Sequence, residues 1–186
     1  MRRSGDLMRS ASADLAEHAY DQSVIGDRWG VTDAETRRRF PCDDFVPEPA
    51  WQAWRGITVD ATPDAVWPWI AQLRLAPYSY DWIDNLGRRS PRELRGLPDP
   101  EVGDPFTATA GHPIGTILSV EPGVHLTAKL AGAYMSYVLV EGGGTTRLLL
   151  KLAARNGRAL GPLIAVGDLV MARKQLITLK ELAEPR

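Results

Sequence analysis

The chain has 186 residues and a net charge of −1, from 22 basic and 23 acidic side chains, with 44% hydrophobic and 24% charged residues. That composition fits one globular domain with its own core, and the balanced charge gives no electrostatic case for nucleic acid or for an anionic membrane surface. The single cysteine, Cys42, rules out an internal disulfide framework and fits a reducing compartment, and no stretch approaches the roughly 18 apolar residues of a membrane span.

Residues 1–23 are polar and rich in small side chains, with Leu7, Leu15 and Tyr20 too sparse to define a packed face, so a frayed N-terminal tail is expected. The segment starts with basic residues but lacks the apolar stretch of a secretory signal, which makes the cytoplasm the expected location. Residues 24–53 carry a capping-box pattern, Thr32 followed by Glu35, that predicts a short helix over Asp33–Arg39. Pro41, Pro47 and Pro49 then predict an extended connector without a regular element. Trp29, Phe40, Phe45 and Trp51 are too many large apolar groups for a loose linker, so this arm is expected to wrap the outside of the domain formed by residues 54–186.

Trp54–Asp60 alternates and is β-branched, a first strand. Thr62 is the expected cap of a helix with Pro63 in its first turn, Val66, Ile70 and Leu73 on its apolar side, Trp69 beside them, and a bend at Pro68. A second short helix is expected over Tyr80–Leu86. Residues 87–103 form a long connection bearing Arg88, Arg89, Arg92 and Arg95, a lid or a mobile loop. Strands follow at Phe106–Ala110, Ile114–Glu121, Val124–Leu130, Tyr134–Glu141 and Thr145–Ala154, with hairpin turns at Pro122-Gly123 and Gly142–Gly144 that make neighbours antiparallel. The last segment, Leu160–Ala183, repeats apolar residues at Val166, Leu169, Val170, Leu176, Ile177 and Leu179, one face of a long amphipathic helix. The fold class is therefore α+β: a curved antiparallel sheet gripping its own C-terminal helix, with two short helices after the first strand.

At VWPWIAQL, YSYDWIDNL and GDLVMARKQLITLKELAE the chain resembles the START-like superfamily, the polyketide-cyclase and dehydrase-like or helix-grip family, over roughly Trp29 to Glu184. The resemblance is to small bacterial members, and it departs from the family where a glycine-rich approach to YSYDW is replaced by LRLAP. It implies an apolar cavity between sheet and C-terminal helix, with the loops after the short helices near its mouth. That family spans lipid carriers, hormone receptors and aromatase/cyclases, so it implies no single activity.

Within this frame the cluster Tyr78, Tyr80, Asp81 and Trp82 either lines the cavity mouth or anchors the short helix to the sheet; Tyr78 and Trp82, spaced i and i+4, are the pair that can point inward together. Trp69 joins them as a ligand-binding candidate. Asp81 and Asp84 are three apart on one helix, a spacing that suits acid–base chemistry if burial separates their pKa values. His112, in the turn AGHPIG, is the other acid–base candidate. His125 alternates with Thr127 and Lys129 on the polar, solvent-facing side of its strand, and His18 lies in the tail. Tyr134 and Ser136 share one face of a strand and Tyr137 takes the other; both tyrosines are candidate ligand contacts. Arg173 falls inside the apolar stripe of the final helix, where it either holds a ligand carboxylate or extends outward past the sheet. The histidines and Cys42 show no metal-ligand spacing, and Gly142–Gly144 lacks the helix and lysine of a phosphate loop, so neither a metal nor a cofactor is expected. The function expected is binding of a small hydrophobic molecule (a lipid, polyketide or aromatic metabolite), without nucleic acid or membrane insertion. The alternatives are a cofactor-independent aromatase/cyclase, with His112 or Asp81 as acid or base, and an interaction protein whose cavity is filled by Trp67, Trp69 and Trp82.

Overall fold

A computed structural model describes residues 27–155 and 162–185, with the side chains of the last segment described from Val170 onward. The polar tail, His18 and the side chains in the first turns of the C-terminal helix, Val166 and Leu169 among them, lie outside what is described. The described elements are strand β1 (Arg28–Trp29), helix α1 (Asp33–Thr36), β2 (Trp51–Val59), α2 (Pro63–Ala71), α3 (Asp81–Asp84), β3 (Thr107–Thr109), β4 (His112–Ile114), β5 (Thr116–Glu121), β6 (His125–Leu130), β7 (Ala133–Glu141), β8 (Thr146–Ala154) and α4 (Pro162–Ala183). Six strands form one sheet in the order β1-β2-β8-β7-β6-β5, and β3 and β4 make a separate hairpin. All main-sheet pairs are antiparallel except β1 with β2. The sheet, the two short helices and the long final helix are the α+β helix-grip architecture expected from the sequence.

The hairpin turns form because their glycines supply left-handed backbone: Gly143 and Gly144 both have positive φ between β7 and β8. Proline in the first turn starts α2, whose Thr62 lies extended just before it. The expected side-chain cap is not made; the Thr62 carbonyl alone accepts from the Ala65 and Val66 amides. Pro68 lies inside α2, and the helix passes into a 3₁₀ turn at Gln72–Leu75. The capping box of α1 is complete, with Glu35 N–H donating to Thr32 Oγ1 and Thr32 N–H to the Glu35 carboxylate, yet the helix is shorter than its pattern and ends at Thr36.

Both faces of the sheet are covered. On the inner face, Leu148, Leu150 and Leu152 of β8, Met135, Tyr137 and Leu139 of β7, and Leu126 and Ala128 of β6 pack with α2 and with Leu176 and Leu179 of α4. On the outer face, Phe40, Cys42 and Val46 of the segment before β2 sit on Tyr134, Val138, Leu149 and Ala153. The supposed extended connector includes a 3₁₀ turn at Pro41–Asp44 that delivers Cys42 and Asp43 to the sheet. The Cys42 N–H donates to Ser136 Oγ at 2.8 Å, and Ser136 Oγ lies 2.7 Å from Thr127 Oγ1. Lys151 is buried there and pairs with Asp43 at 2.5 Å, and Arg147 Nε donates to Glu35 at 2.7 Å. This corrects the solvent-facing reading of the His125–Thr127–Lys129 side: Thr127 is buried, His125 is half-buried with its ring 2.9 Å from Ser119 Oγ, and only Lys129 remains exposed. Alternation located that face correctly, but the arm covers it.

Candidate functional site

A cavity of about 370 Å3 lies between the inner face of the sheet and α4. Its floor is Met135 and Tyr137 of β7 with Leu150 and Leu152 of β8; Phe106, Thr107, Thr109 and Ile114 of the β3–β4 hairpin region form one wall, and Met171, Ala172 and Gln175 of α4 another. Pro77, Ser79, Ile83 and Asp84 close it from the loop leading into α3. Leu130 completes an inner surface that is mostly apolar, as ligand pockets are. The period-2 alternation of β7 and β8 puts these side chains on one face, and the 3₁₀ turn that follows α2 leads the chain toward α3 at the cavity's end.

The polar groups fall into two sets. The first is closed: the Tyr137 hydroxyl donates to Gln175 Oε1 at 2.6 Å, and Gln175 Nε2 donates to the Pro77 carbonyl at 2.6 Å. That chain ties β7 to α4 and to the loop before α3. The second set is open. Ser79 Oγ, Asp84 Oδ1 and Thr107 Oγ1 are buried in residues lining the cavity and make no hydrogen bond among the described residues. A buried polar atom without a partner costs about 1–3 kcal/mol, so these oxygens mark the part of the cavity wall where a ligand's polar group gains most. Burial pushes the Asp84 carboxyl above the usual aspartate range, opposed by the nearby Ser79 hydroxyl and by backbone N–H groups. Relative to water, burial moves the balance toward the neutral acid, the form that can both donate and accept.

The residues expected at the site are distributed differently. Tyr137 lines the cavity. Tyr78 does not: it is buried at φ 55°, its hydroxyl accepts from Gln72 Nε2 at 2.6 Å, and Trp69 meets its ring edge-on at 6.5 Å. Both are wedged between α2 and the loop, and burial raises the Tyr78 phenol. Asp81 is consumed structurally, accepting from Ser90 N–H at 3.0 Å and Ser90 Oγ at 2.5 Å, so it steadies the loop after α3. Trp82 is exposed, pointing away from the core. His112 is exposed on β4, paired with Thr109 across the hairpin, and does not line the cavity. Tyr134 faces the other side of the sheet, beneath the Lys129 and Arg155 cations, so it cannot touch a ligand held inside. Arg173 is exposed, its guanidinium 4.9 Å from the Trp29 ring, and with Tyr80, Arg28 and Lys174 it borders a depression outside the cavity. Among the described residues of α4 the polar side chain in the cavity wall is Gln175, one turn from both Met171 and Leu179, and Thr178 is buried beside it; the spacing from Leu169 and Ile177 selected Arg173 instead. Trp67 donates its indole N–H to Asp99 at 2.7 Å, and none of Trp67, Trp69 and Trp82 fills the cavity.

Among the described residues no group of three or more His, Cys, Asp or Glu side chains could hold a metal ion, and no helix is long and apolar enough to cross a membrane. The Cys42 thiol is buried and pushed up to about 11, chiefly by that burial, which makes it a packing group rather than a nucleophile.

The chain matches no model of a known protein family, and no curated protein matches it. Solved structures do resemble it. A crystallographic Mesorhizobium loti protein is 16% identical over 71% of this chain and 96% of its own, with a TM-score of 0.49. An AHSA1-like protein of Rhizobium etli, solved by NMR, is 18% identical over 73% of this chain and 83% of its own, with a TM-score of 0.45. A conserved Enterococcus faecalis protein of unknown function is 14% identical over 72% of this chain and 71% of its own, with a TM-score of 0.47. Similarity at this level carries no argument about ligand or chemistry, which rest on the residues of the cavity itself.

Proposed function

We propose that the chain is a START-like binding protein whose cavity takes a small, mostly apolar molecule bearing a hydroxyl, enol or amine at one end. The observation that carries this reading is that Ser79, Asp84 and Thr107, whose buried side-chain oxygens are left out of the hydrogen bonds of the fold, line the same mostly apolar cavity. Apolar walls supply affinity by burial and the polar end supplies orientation. Size narrows the class. A volume of about 370 Å3 is at the small end of ligand pockets and equals roughly a dozen water-sized volumes, so a mono- or bicyclic molecule fits and a diacyl lipid does not. Native mass spectrometry of the purified chain, followed by organic extraction, tests this. The expected result is a stoichiometric small molecule carrying a donor group. A protein that purifies with a long-chain lipid, or repeatedly empty while binding no bicyclic phenol, would reject it.

A specific observation also favours a second reading, cofactor-independent acid–base chemistry. Among the described lining residues Asp84 is the one carboxyl, and burial raises it above the usual aspartate range, the direction that suits a general acid. In an aromatase/cyclase-type reaction it would protonate a ligand carbonyl or take the α-proton beside it, with Ser79 and Thr107 positioning the oxygen. Turnover of a polyketone that stops in Asp84→Asn while binding persists supports this reading; binding without turnover leaves the first.

A further inference from the structure

The apolar surface next to the cavity mouth is not covered by anything in the fold. Trp82 and Leu86 are each 74% exposed, and Ile83, between them, is 49% exposed while also lining the cavity. Ile114, across the mouth, is likewise both exposed and a lining residue, so the opening lies beside Trp82 and Leu86. Leu86 sits at φ 50°, a left-handed conformation unusual for a branched side chain, followed by Gly87 at φ 81°. The turn thus holds a leucine outward in water at a conformational cost. The next residues are Arg88 and Arg89, and Arg92 and Arg95 follow, all exposed; over residues 81–95 these four arginines meet three carboxyls, Asp81 (held by Ser90), Asp84 (in the cavity wall) and Glu93. None of these four arginines has an ion-pair partner among the described residues; Arg88 reaches only the Ala110 carbonyl of the hairpin at 3.3 Å. The chain's net charge of −1 conceals this local excess of positive charge.

We propose that this surface, with Trp82 and Leu86 at its centre and Arg88, Arg89, Arg92 and Arg95 beside it, docks the protein on an anionic lipid bilayer. A tryptophan and an aliphatic side chain, both three-quarters exposed, suit the headgroup–acyl boundary, where the indole keeps its N–H hydrated while its ring leaves water. Unpaired arginines with no fixed geometry suit a diffuse layer of phosphate charge rather than one counter-ion. A protein partner would need a concave or flat complementary patch, whereas these side chains project singly from one turn. The position also fits, on the binding reading above, because an apolar ligand accumulates in a bilayer and the mouth would face it. Docking itself does not require a filled cavity.

The test is co-sedimentation of the full chain with phosphatidylcholine vesicles, with and without phosphatidylglycerol, across a salt series. The expected result is binding to the anionic vesicles alone, weakening as salt rises. The Trp82→Ser/Leu86→Ser and Arg88→Glu/Arg89→Glu double variants should each lose on the order of tenfold or more of that partitioning. These side chains are exposed and outside the cavity wall, so thermal unfolding and small-ligand binding should stay as in the wild type, which separates failure here from failure of the binding reading. Failure to bind anionic vesicles, equal binding to neutral ones, or unchanged binding by both variants would overturn the proposal. So would a dimer that forms in solution and dissociates in Trp82→Ser/Leu86→Ser without any vesicle binding.

Discussion

The same strands present two faces that end in opposite states. Ser136 and Tyr137 are neighbours on β7, as are Leu150 and Lys151 on β8, yet each pair divides between the two sides of the sheet. On the outer side the charged and hydroxyl groups are paired, Lys151 with Asp43, Ser136 with Cys42 and Thr127, Arg147 with Glu35, and the Trp54 indole N–H is the buried polar atom there without a partner among the described residues. On the inner side a cavity remains, and three buried polar atoms along it have none among the described residues. A face that is closely packed, with its charges paired, serves the fold. A face that tolerates space and unsatisfied hydrogen bonds has been left at a cost, and in native proteins such costs collect at binding sites.

Changes on the outer face should therefore reduce stability and spare binding, and those on the inner face should do more to binding. The largest expected effect is Asp43→Ala, which leaves the Lys151 ammonium, 6% exposed, buried without its carboxylate. A loss of about 3 kcal/mol in denaturant unfolding is predicted, with ligand affinity unchanged while the protein stays folded. Tyr137→Phe comes next: Gln175 Oε1 loses its donor, for about 1–2 kcal/mol of stability together with weaker binding. Asp84→Asn should cost on the order of tenfold in affinity for a phenolic ligand and do the reverse to stability. Because the folded-state carboxyl is raised, its contribution is fully present below the ordinary aspartate range and is lost as pH rises through the folded value. The asparagine variant should then match or exceed the wild type in thermal stability at neutral pH and lose that advantage in acid.

Glu35 has the opposite sign. The Arg147 hydrogen bond, outweighing desolvation, holds its carboxyl down at about 2. Its contribution is present above the ordinary glutamate value of 4.5 and disappears as pH falls from there toward about 2. Glu35→Gln should flatten the acid limb of the stability curve by that amount; an unchanged acid limb would show that the pair does not hold the arm. The smallest effect is on Cys42. Alkylation by iodoacetamide at neutral pH should proceed only as fast as the arm or the whole domain opens, speeding up in Asp43→Ala. Rapid labelling of the native wild type would mean that the outer face is not closed.

Much of the fold was legible because its signals are local. The hairpin series from β5 to β8 follows from alternation and glycine turns, and α4 from its helical repeat. The outer face was not legible as a core, since Lys151, Ser136 and Thr127 are residue types that water usually claims, and only a segment distant in sequence shows that Asp43 and Cys42 meet them. For the cavity, period 2 put Tyr134 and Tyr137 on opposite sides without telling which side was inner. Ser79, Asp84 and Thr107 come from the approach to α3, from α3 itself and from β3, and no spacing in the chain announces that they converge. Asp84 stood beside Asp81 as half of a pair; the turn toward Ser90 takes Asp81 out of the chemistry and leaves its neighbour in the wall. Arg173 and Gln175 differ by two positions on one helix, and apolar spacing by itself did not fix the phase.

A crystal structure of the protein with 2-naphthol, a bicyclic ring bearing a single hydroxyl, is the most direct test of the central claim. The ring is expected against Leu150, Leu152 and Met135, with its oxygen within hydrogen-bonding distance of Asp84, Ser79 or Thr107. Side chains such as Met171 and Phe106 collapsed into the space, or ordered waters completing all three polar groups while naphthol stays outside, would contradict it.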